Sequence, residues 1–236
     1  MDRKTKSIAI TRYNYILMPE GEEEMLDEEG LNNHYTEYDP EGRPLKEISY
    51  NASGEFEEMY GYEYDSNGHL LHERYYPAED EMAEEKTFSR DASGRITEAR
   101  KRYQDGSVDT ILYAYDADGN LLTLTTVNDE GETEQVEAFE WEGGELAGHL
   151  VTDVLGNPLE GPDLSTVKPS ESRITRDEQG RVVLEEELND NGEVVMAISR
   201  AYDDEGRQDT VDVYIDGQGQ RITRHYFLKY EYTFFD

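Results

Sequence analysis

The sequence contains no cysteine, so neither a disulfide framework nor a thiolate metal site can form, and cysteine usage leaves the redox compartment open. It also lacks any run near the roughly 18 consecutive apolar residues of a membrane helix. Its basic start, MDRKTKSIAITRYNY, leads into no long apolar stretch. We therefore expect no signal peptide, no membrane insertion and a cytoplasmic protein, or a secreted or cell-surface one if the chain is a processed fragment.

Positive charge and apolar residues are both scarce. Lys and Arg number 22 against 56 Asp and Glu, which gives a formal net charge of −34, and 35% of the residues are hydrophobic. Such an acidic chain repels nucleic acid and anionic lipid and attracts cations or basic proteins. The low apolar content predicts a thin core and, taken alone, is also typical of disorder.

A short acidic motif recurs at nearly constant spacing, which favours a folded repeat protein over disorder. An aromatic or basic residue precedes an acid at Tyr38-Asp39, Tyr64-Asp65, Arg90-Asp91, Tyr115-Asp116, Trp141-Glu142, Arg176-Asp177 and Tyr202-Asp203. The acids are 26, 26, 25, 26, 35 and 26 residues apart. A fixed period of this size indicates tandem supersecondary units. The long interval contains NPLEGPDLSTVKPSES (157–172), which we interpret as a loop inserted in one repeat.

Tetrapeptides such as DPEG, DSNG, DADG and NDEG predict tight turns. Asp or Asn caps such a turn through its own side chain, and the final glycine adopts the left-handed conformation of a type I turn with a G1 bulge. The predicted turn glycines are Gly42, Gly54, Gly68, Gly94, Gly119, Gly131, Gly180, Gly192 and Gly206.

The segments between turns are eight to ten residues long and rich in Tyr, Val, Thr and Phe, which is typical of strands. We predict an all-β fold, an antiparallel meander of tandem hairpin repeats with about fourteen strands, curved or coiled. One face should be aromatic and better buried, and the other acidic and solvated. We expect a divergent N-terminal repeat or cap (1–34), tandem repeats (35–227) and an aromatic tail (228–236), together forming one domain. We favour a tail that packs back over the sheet, and a subunit contact is the alternative.

Four segments carry a family resemblance: YDPEGRPL (38–45), YDSNGHLL (64–71), YDADGNLL (115–122) and YDDEGR (202–207). They resemble the YD-repeat, or Rhs-repeat, family of bacterial Rhs toxins and teneurins. The resemblance implies a strand meander that, in long members, coils into a hollow shell around another polypeptide, and it supplies no catalytic residues. The array here is short and divergent, and we expect it to stand without a toxin domain.

Two patterns suggest metal sites and are better explained otherwise. Asp116 and Asp118 resemble the start of a calcium loop, but other copies of the motif do not keep the second Asp, so we favour a turn and keep calcium as the alternative. His69 and His72, three apart in a strand, point to opposite sides and cannot share a metal. His34, His149 and His225 stand alone in the sequence. We expect no catalytic residues, metal or cofactor.

Aromatic residues two apart share one face of a strand. Such rows are Tyr60, Tyr62 and Tyr64, Tyr113 with Tyr115, and Phe139 with Trp141. We expect these rings to serve the thin core, because tyrosine can bury its ring while its hydroxyl stays wet. A platform for a sugar or an extended peptide is the alternative.

Our leading hypothesis is a non-enzymatic, monomeric repeat scaffold that binds another protein, a basic one given the charge, such as a toxin-system partner or immunity-like factor. The alternatives are a structural component of a cell envelope or shell, and a carbohydrate-binding or carbohydrate-acting protein that uses aromatic rows and carboxylates. We expect no nucleic-acid partner.

Overall fold

The computed structural model describes residues 3–17, 24–159, 171–216 and 223–236, and these form seventeen β-strands and no helix. The strands are β1 Thr5–Leu17, β2 Glu24–Leu26, β3 Leu31–Tyr38, β4 Pro44–Tyr50, β5 Phe56–Tyr64, β6 Leu70–Tyr76, β7 Glu84–Arg90, β8 Ile96–Tyr103, β9 Val108–Tyr115, β10 Leu121–Val127, β11 Thr133–Glu142, β12 Glu145–Asp153, β13 Glu171–Arg176, β14 Val182–Leu188, β15 Val194–Tyr202, β16 Gln208–Ile215 and β17 Arg224–Phe234. The all-β prediction is confirmed. More than fourteen strands form because β1, β2 and β17 add strands at the two ends of the chain.

Two compact units divide the chain, Met1–Glu57 with Ser165–Asp236, and Glu58–Leu164. In the first unit the antiparallel order is β4, β3, β1, β17, β16, β15, β14, β13. The short β2 continues along the same edge of β1 as β3, with Ile16 opposite Met25. The N-terminal strand thus departs from a simple meander, because it lies between strands from the two ends of the chain.

The aromatic C-terminal segment is a strand inside the sheet, so the prediction that it packs back over the sheet is wrong. β17 pairs with β1, where Ile10 lies opposite Tyr230, and with β16, where Val211 lies opposite Leu228. Pairing on both edges satisfies the backbone donors and acceptors of β17, which a position over a sheet face would leave to water or side chains.

The second unit is a run of antiparallel hairpins in which each strand from β5 to β12 pairs with the next. Its described residues bury one side chain, Ala99, which is 0% exposed. The first unit buries Leu188, Val211 and Val213. The core is thin, and most side chains of the second unit are partly exposed on whichever face they occupy.

The tetrapeptide at 116–119 is a hairpin turn. Asp116 donates its N–H to the Asn120 carbonyl at 3.0 Å, and Gly119 donates to the Asp116 carbonyl at 3.2 Å. The Asp116 Oδ1 accepts the N–H groups of Asp118 and Asn120 at 2.9 and 2.8 Å. The same backbone pattern recurs at the other turns. Positive φ angles, from 77° to 91°, occur at Gly42, Gly54, Gly68, Gly94, Gly119, Gly131, Gly180, Gly192 and Gly206.

Two turns flank β12 within the long interval. Trp141-Glu142, which the spacing takes as a repeat start, leads into a two-residue turn at Gly143 and Gly144, both at positive φ. The next turn, at 153–157, has the Asp-x-x-Gly hydrogen bonds and was missed in the sequence. Of the predicted inserted loop at 157–172, residues 160–170 lie outside the described part of the chain.

Candidate functional site

All seven candidate platform aromatics lie on one face of the second unit. Tyr60 lies opposite Tyr75 with ring centroids 5.1 Å apart, and Phe139 stacks on His149 at 4.7 Å. Directly opposed residues on paired strands lie on the same face of the sheet. The pairing registers from β5 to β11 therefore place all seven aromatic residues on one face. We call this surface the aromatic face, which includes Tyr60, Tyr62, Tyr64, Tyr113, Tyr115, Phe139 and Trp141.

The aromatic face also carries ion pairs between its rings. Lys86 Nζ lies 3.1 Å from Glu73, and Lys101 Nζ lies 2.8 Å from Glu84. Partial burial acts to lower the pKa of Lys101, but its partner Glu84 raises it overall. Burial raises the pKa of Tyr113. The face is therefore a half-covered mixture of rings and paired charges.

Aromatic residues of the repeated motif link the backbones of successive hairpins. Trp141 donates Nε1–H to the Leu121 carbonyl at 2.8 Å, and Tyr202 in the first unit donates its hydroxyl to the Val182 carbonyl at 2.8 Å. Both bonds span twenty residues. These two rings therefore have a structural role, although Trp141 remains 37% exposed.

The arginine that closes the motif covers the aromatic residue of the next repeat. Asp177 Oδ2 accepts a 2.7 Å bond from Arg181 Nε, and the Arg181 guanidinium lies 4.4 Å from the Tyr202 ring centroid. Arg95 likewise lies 5.3 Å from the Tyr115 centroid. The turn acid fixes the arginine, and the arginine packs on the aromatic by a cation–π contact. In these repeats the turn arginine therefore links its own turn to the aromatic residue of the following repeat.

The opposite face of β9–β12 has two complete uncharged cross-strand rows, where we predicted an acidic face, and the acids Glu134 and Glu140 lie on that face of β11 beyond the two rows. Leu112, Thr125, Val136 and Thr152 form the first row, and Ala114, Thr123, Ala138 and Leu150 form the second. We call Leu112, Thr123, Thr125, Val136, Ala138 and Leu150 the neutral face. Leu112 is 44% exposed and Leu150 49% exposed, so aliphatic surface is open to solvent.

Carboxylates border these strands at both ends. At one end lie Asp118, Glu142 and Glu145, and at the other lie Asp105, Asp129, Glu130 and Glu132, all of them exposed. Residues 103–167 contain no Lys or Arg and fifteen Asp or Glu. Hydrogen bonds from the Asn120 side chain and backbone lower the pKa of Asp116 in one of the turns. On the neutral face, β9–β12 therefore combine two uncharged rows with carboxylates at both ends of the strands.

The histidines find partners that sequence spacing does not reveal. His149 Nε2 lies 3.0 Å from Glu137, across two neighbouring strands. His225 Nε2 lies 3.1 Å from Asp212 and its ring stacks on Tyr15 at 3.8 Å. Tyr15 also donates its hydroxyl to Asp212 at 3.0 Å. This cluster joins β1, β16 and β17, which come together only through long-range pairing.

His69 and His72 do not form a common site. His69 Nδ1 lies 3.3 Å from Asp65 in a turn, whereas His72 Nδ1 lies 3.3 Å from Glu85 without forming a hydrogen bond. Over the described ranges, no group of three or more His, Asp and Glu residues is arranged to hold a metal ion.

A cleft of about 340 Å³ lies in the first unit, between the start of β1 and the turn after β3. It is lined by Lys4, Thr5, Ile8, Tyr38, Pro40, Glu41 and Gly42. The lining brings one ammonium and one carboxylate, both exposed, to a mainly apolar surface. No acid–base arrangement is formed by these lining residues.

In the described part of the chain, no helix is long and apolar enough to cross a membrane.

Comparisons with known proteins assign no family. No family model and no curated protein matches the chain. Among solved structures, a porin-like protein from Bacteroides uniformis is 10% identical with a TM-score of 0.42, over 97% of this chain and 98% of that one. The TcdB2-TccC3-Cdc42 structure is 10% identical with a TM-score of 0.35, over 87% of this chain and 15% of that one. The Photorhabdus luminescens Tc holotoxin pore is 10% identical with a TM-score of 0.27, over 89% of this chain and 16% of that one. Similarity at this level carries no functional argument, and the YD-repeat assignment stays a prediction.

Proposed function

We propose that this chain is a non-enzymatic, monomeric β-repeat scaffold that binds a basic protein through its second unit. One observation carries the proposal. Exposed apolar side chains of β9–β12 lie in a stretch, residues 103–167, that contains no Lys or Arg. The resemblance of its motifs to YD repeats makes a toxin-system protein the partner we propose, with this chain as an immunity-like factor.

Burial argues for a protein as the ligand. The described residues of the second unit bury only Ala99, so both faces of its hairpins keep aliphatic and aromatic surface partly in water. Covering such surface stabilises a complex by about 25 cal/mol for each Å² of apolar area removed from water. Trp141, Leu146 and Leu150 are large exposed side chains of this kind on β11 and β12.

Charge argues for a basic partner. Carboxylates around an apolar surface accelerate association with cationic proteins and disfavour anionic ones. In β6–β8 acids meet cations, as in the pair of Arg74 with Glu85 at 3.0 Å. The strands β9–β12 themselves contain no Lys or Arg. An external basic protein would neutralise this excess of negative charge.

The test compares the removal of two acids from equivalent positions in two turns, and Glu205 of the control turn is paired with Arg207 at 2.6 Å. Asp129→Asn with Glu130→Gln alters the central residues of the turn at 128–131, and Asp204→Asn with Glu205→Gln alters the same positions at 203–206. With polylysine as the probe, we expect the first double variant to bind more weakly than wild type and the second to bind as wild type. Binding should weaken between about 0.05 M and about 0.5 M salt, because exposed charges are screened.

Polyglutamate serves as the control probe and should not bind. Absence of polylysine binding at low salt, or equal weakening by the two double variants, would overturn the proposal.

A further inference from the structure

The side chains of the neutral face differ in length between its outer and inner strands. Leu112 on β9 and Leu150 on β12 stand on the two outer strands, and the shorter Thr123, Thr125, Val136 and Ala138 lie between them on β10 and β11. Strands are about 4.8 Å apart, so the outer two are separated by about 14 Å. Leu112 lies across from Thr152, and Leu150 lies across from Ala114, so one leucine stands at each of two diagonal corners. We call the low surface between these corners, which runs along β10 and β11, the trough.

We propose that this trough binds one α-helix of the partner, apolar in its middle and basic in both terminal turns. The inference rests on the proposed function, since it specifies the surface used and the chemistry of the bound segment. A helix with side chains is about 10–12 Å across, which fits within the roughly 14 Å that separates β9 from β12.

The length of the strands sets the charge pattern of the helix. β10 has seven residues and spans about 23 Å, which a helix of about fifteen residues matches. Carboxylates lie at both ends of this span, with Asp118 and Glu142 at one end and Asp129 and Glu130 at the other. Lys or Arg in the first and last turns of the helix would reach them, while aliphatic side chains fill the uncharged centre.

The flank toward β8 limits where the helix can lie. Glu98 of β8 is opposite Leu112, and its carboxylate accepts a 2.8 Å bond from Arg100 Nε. Glu98 and Arg100 are polar and already paired with each other, so the apolar surface of the trough ends at this ion pair. The helix is therefore confined to the surface from β9 to β12.

Two synthetic helical peptides of identical composition test the inference. One places its lysines in both terminal turns around a Leu and Ala centre, and the other places them in the centre. We expect the end-basic peptide to bind the full chain about tenfold more tightly than the centre-basic one, because only its charges coincide with both carboxylate groups.

Matched lysine substitutions locate the site. Thr125→Lys puts a charge in the middle of the trough, and Thr175→Lys puts the same charge on β13 of the first unit, where Thr175 is exposed. We expect Thr125→Lys to weaken binding of the end-basic peptide about tenfold and Thr175→Lys to leave it unchanged. Leu150→Ser, which removes one wall of the trough, provides a second variant if Thr125→Lys does not fold.

The outcomes separate this inference from the proposed function. Equal affinity for the two peptides, or unchanged binding in both trough variants, overturns the helix site while polylysine binding keeps the scaffold proposal intact. Failure of polylysine and of both peptides to bind overturns both.

Discussion

The hydroxyl of Tyr202 donates a 2.8 Å hydrogen bond to the carbonyl of Val182, twenty residues earlier and in the preceding repeat. Tyr232 makes the corresponding bond to the Gln208 carbonyl at 2.7 Å. Few side chains are buried among the residues that the structure describes, so such bonds connect hairpins that a larger core would otherwise hold together.

Removing one such hydroxyl should therefore weaken the fold. We expect Tyr202→Phe to lower the free energy of unfolding by about 1 kcal/mol, the typical net value of one hydrogen bond, and Tyr232→Phe to do the same. Urea denaturation followed by circular dichroism gives both values. Unfolding midpoints equal to wild type in both variants would show that these bonds do not contribute.

The turn glycines should matter for their backbone conformation. Gly119 has a φ of 91°, so Gly119→Val should destabilise the fold by about 1–3 kcal/mol through backbone strain. Gly61, in the middle of β5, is the control: a Cβ there would meet the Tyr76 ring at an ordinary 3.9 Å. Gly61→Ala should be tolerated. Thermal unfolding of the two variants side by side decides the point, and a stable Gly119→Val protein would contradict it.

Asp118 should be dispensable, unlike its neighbour in the turn. Its backbone N–H is used by Asp116 Oδ1, whereas its own side chain is exposed. We expect Asp118→Ala to change the melting temperature little, and we expect added calcium to leave wild type unchanged. A rise of several degrees on adding calcium, abolished in Asp118→Ala, would restore the calcium-loop alternative.

Low pH should destabilise the turns, because the pKa values of their aspartates are lowered in the folded protein. Hydrogen bonds from Asn120 lower the pKa of Asp116 in the fold, below the value of about 3.9 in an unfolded chain. Its contribution is therefore present above about pH 4 and is lost as the pH falls through the folded pKa. Asp116→Asn keeps the Oδ1 acceptor without titrating, as the native Asn51 and Asn128 do, but it loses the Oδ2 that accepts the Asn120 Nδ2–H bond.

We accordingly expect the urea midpoint of wild type to fall more steeply than that of Asp116→Asn between about pH 5 and about pH 2. The loss of net charge on acidification is nearly the same in both proteins, so the difference between the two curves isolates this turn. Parallel curves would show that ionised Asp116 adds nothing.

Local features of the fold could be predicted from the sequence because local chemistry determines them. Alternating strand residues and the Asp-x-x-Gly turns depend on neighbours within a few positions, as at 116–120. The turn at Asp153 carries the same Asp-x-x-Gly signal, although it is not among the predicted turns.

Long-range pairing could not be predicted in the same way. The position of β1 depends on registers between residues such as Ser7 and Thr233, whose hydroxyls lie 2.7 Å apart although the residues are separated by 226 positions. Part of the neutral face could be predicted from the sequence, because Leu112 and Ala114 alternate with Tyr113 and must lie on the opposite face of the strand. The full set of its residues could not be predicted, because it depends on where the β-bulges lie. The bulge between Leu121 and Thr123, for example, decides which residues of β10 lie on the same face as Leu112.

The most direct test of a basic partner bound on β9–β12 is a methyl NMR titration of the intact chain with the end-basic helical peptide. We expect methyl signals of Leu112, Val136 and Leu150 to shift, and those of the exposed Ile174 and the buried Val213 in the first unit to stay in place. Shifts centred on the first unit, with the β9–β12 methyl groups unchanged, would contradict the account.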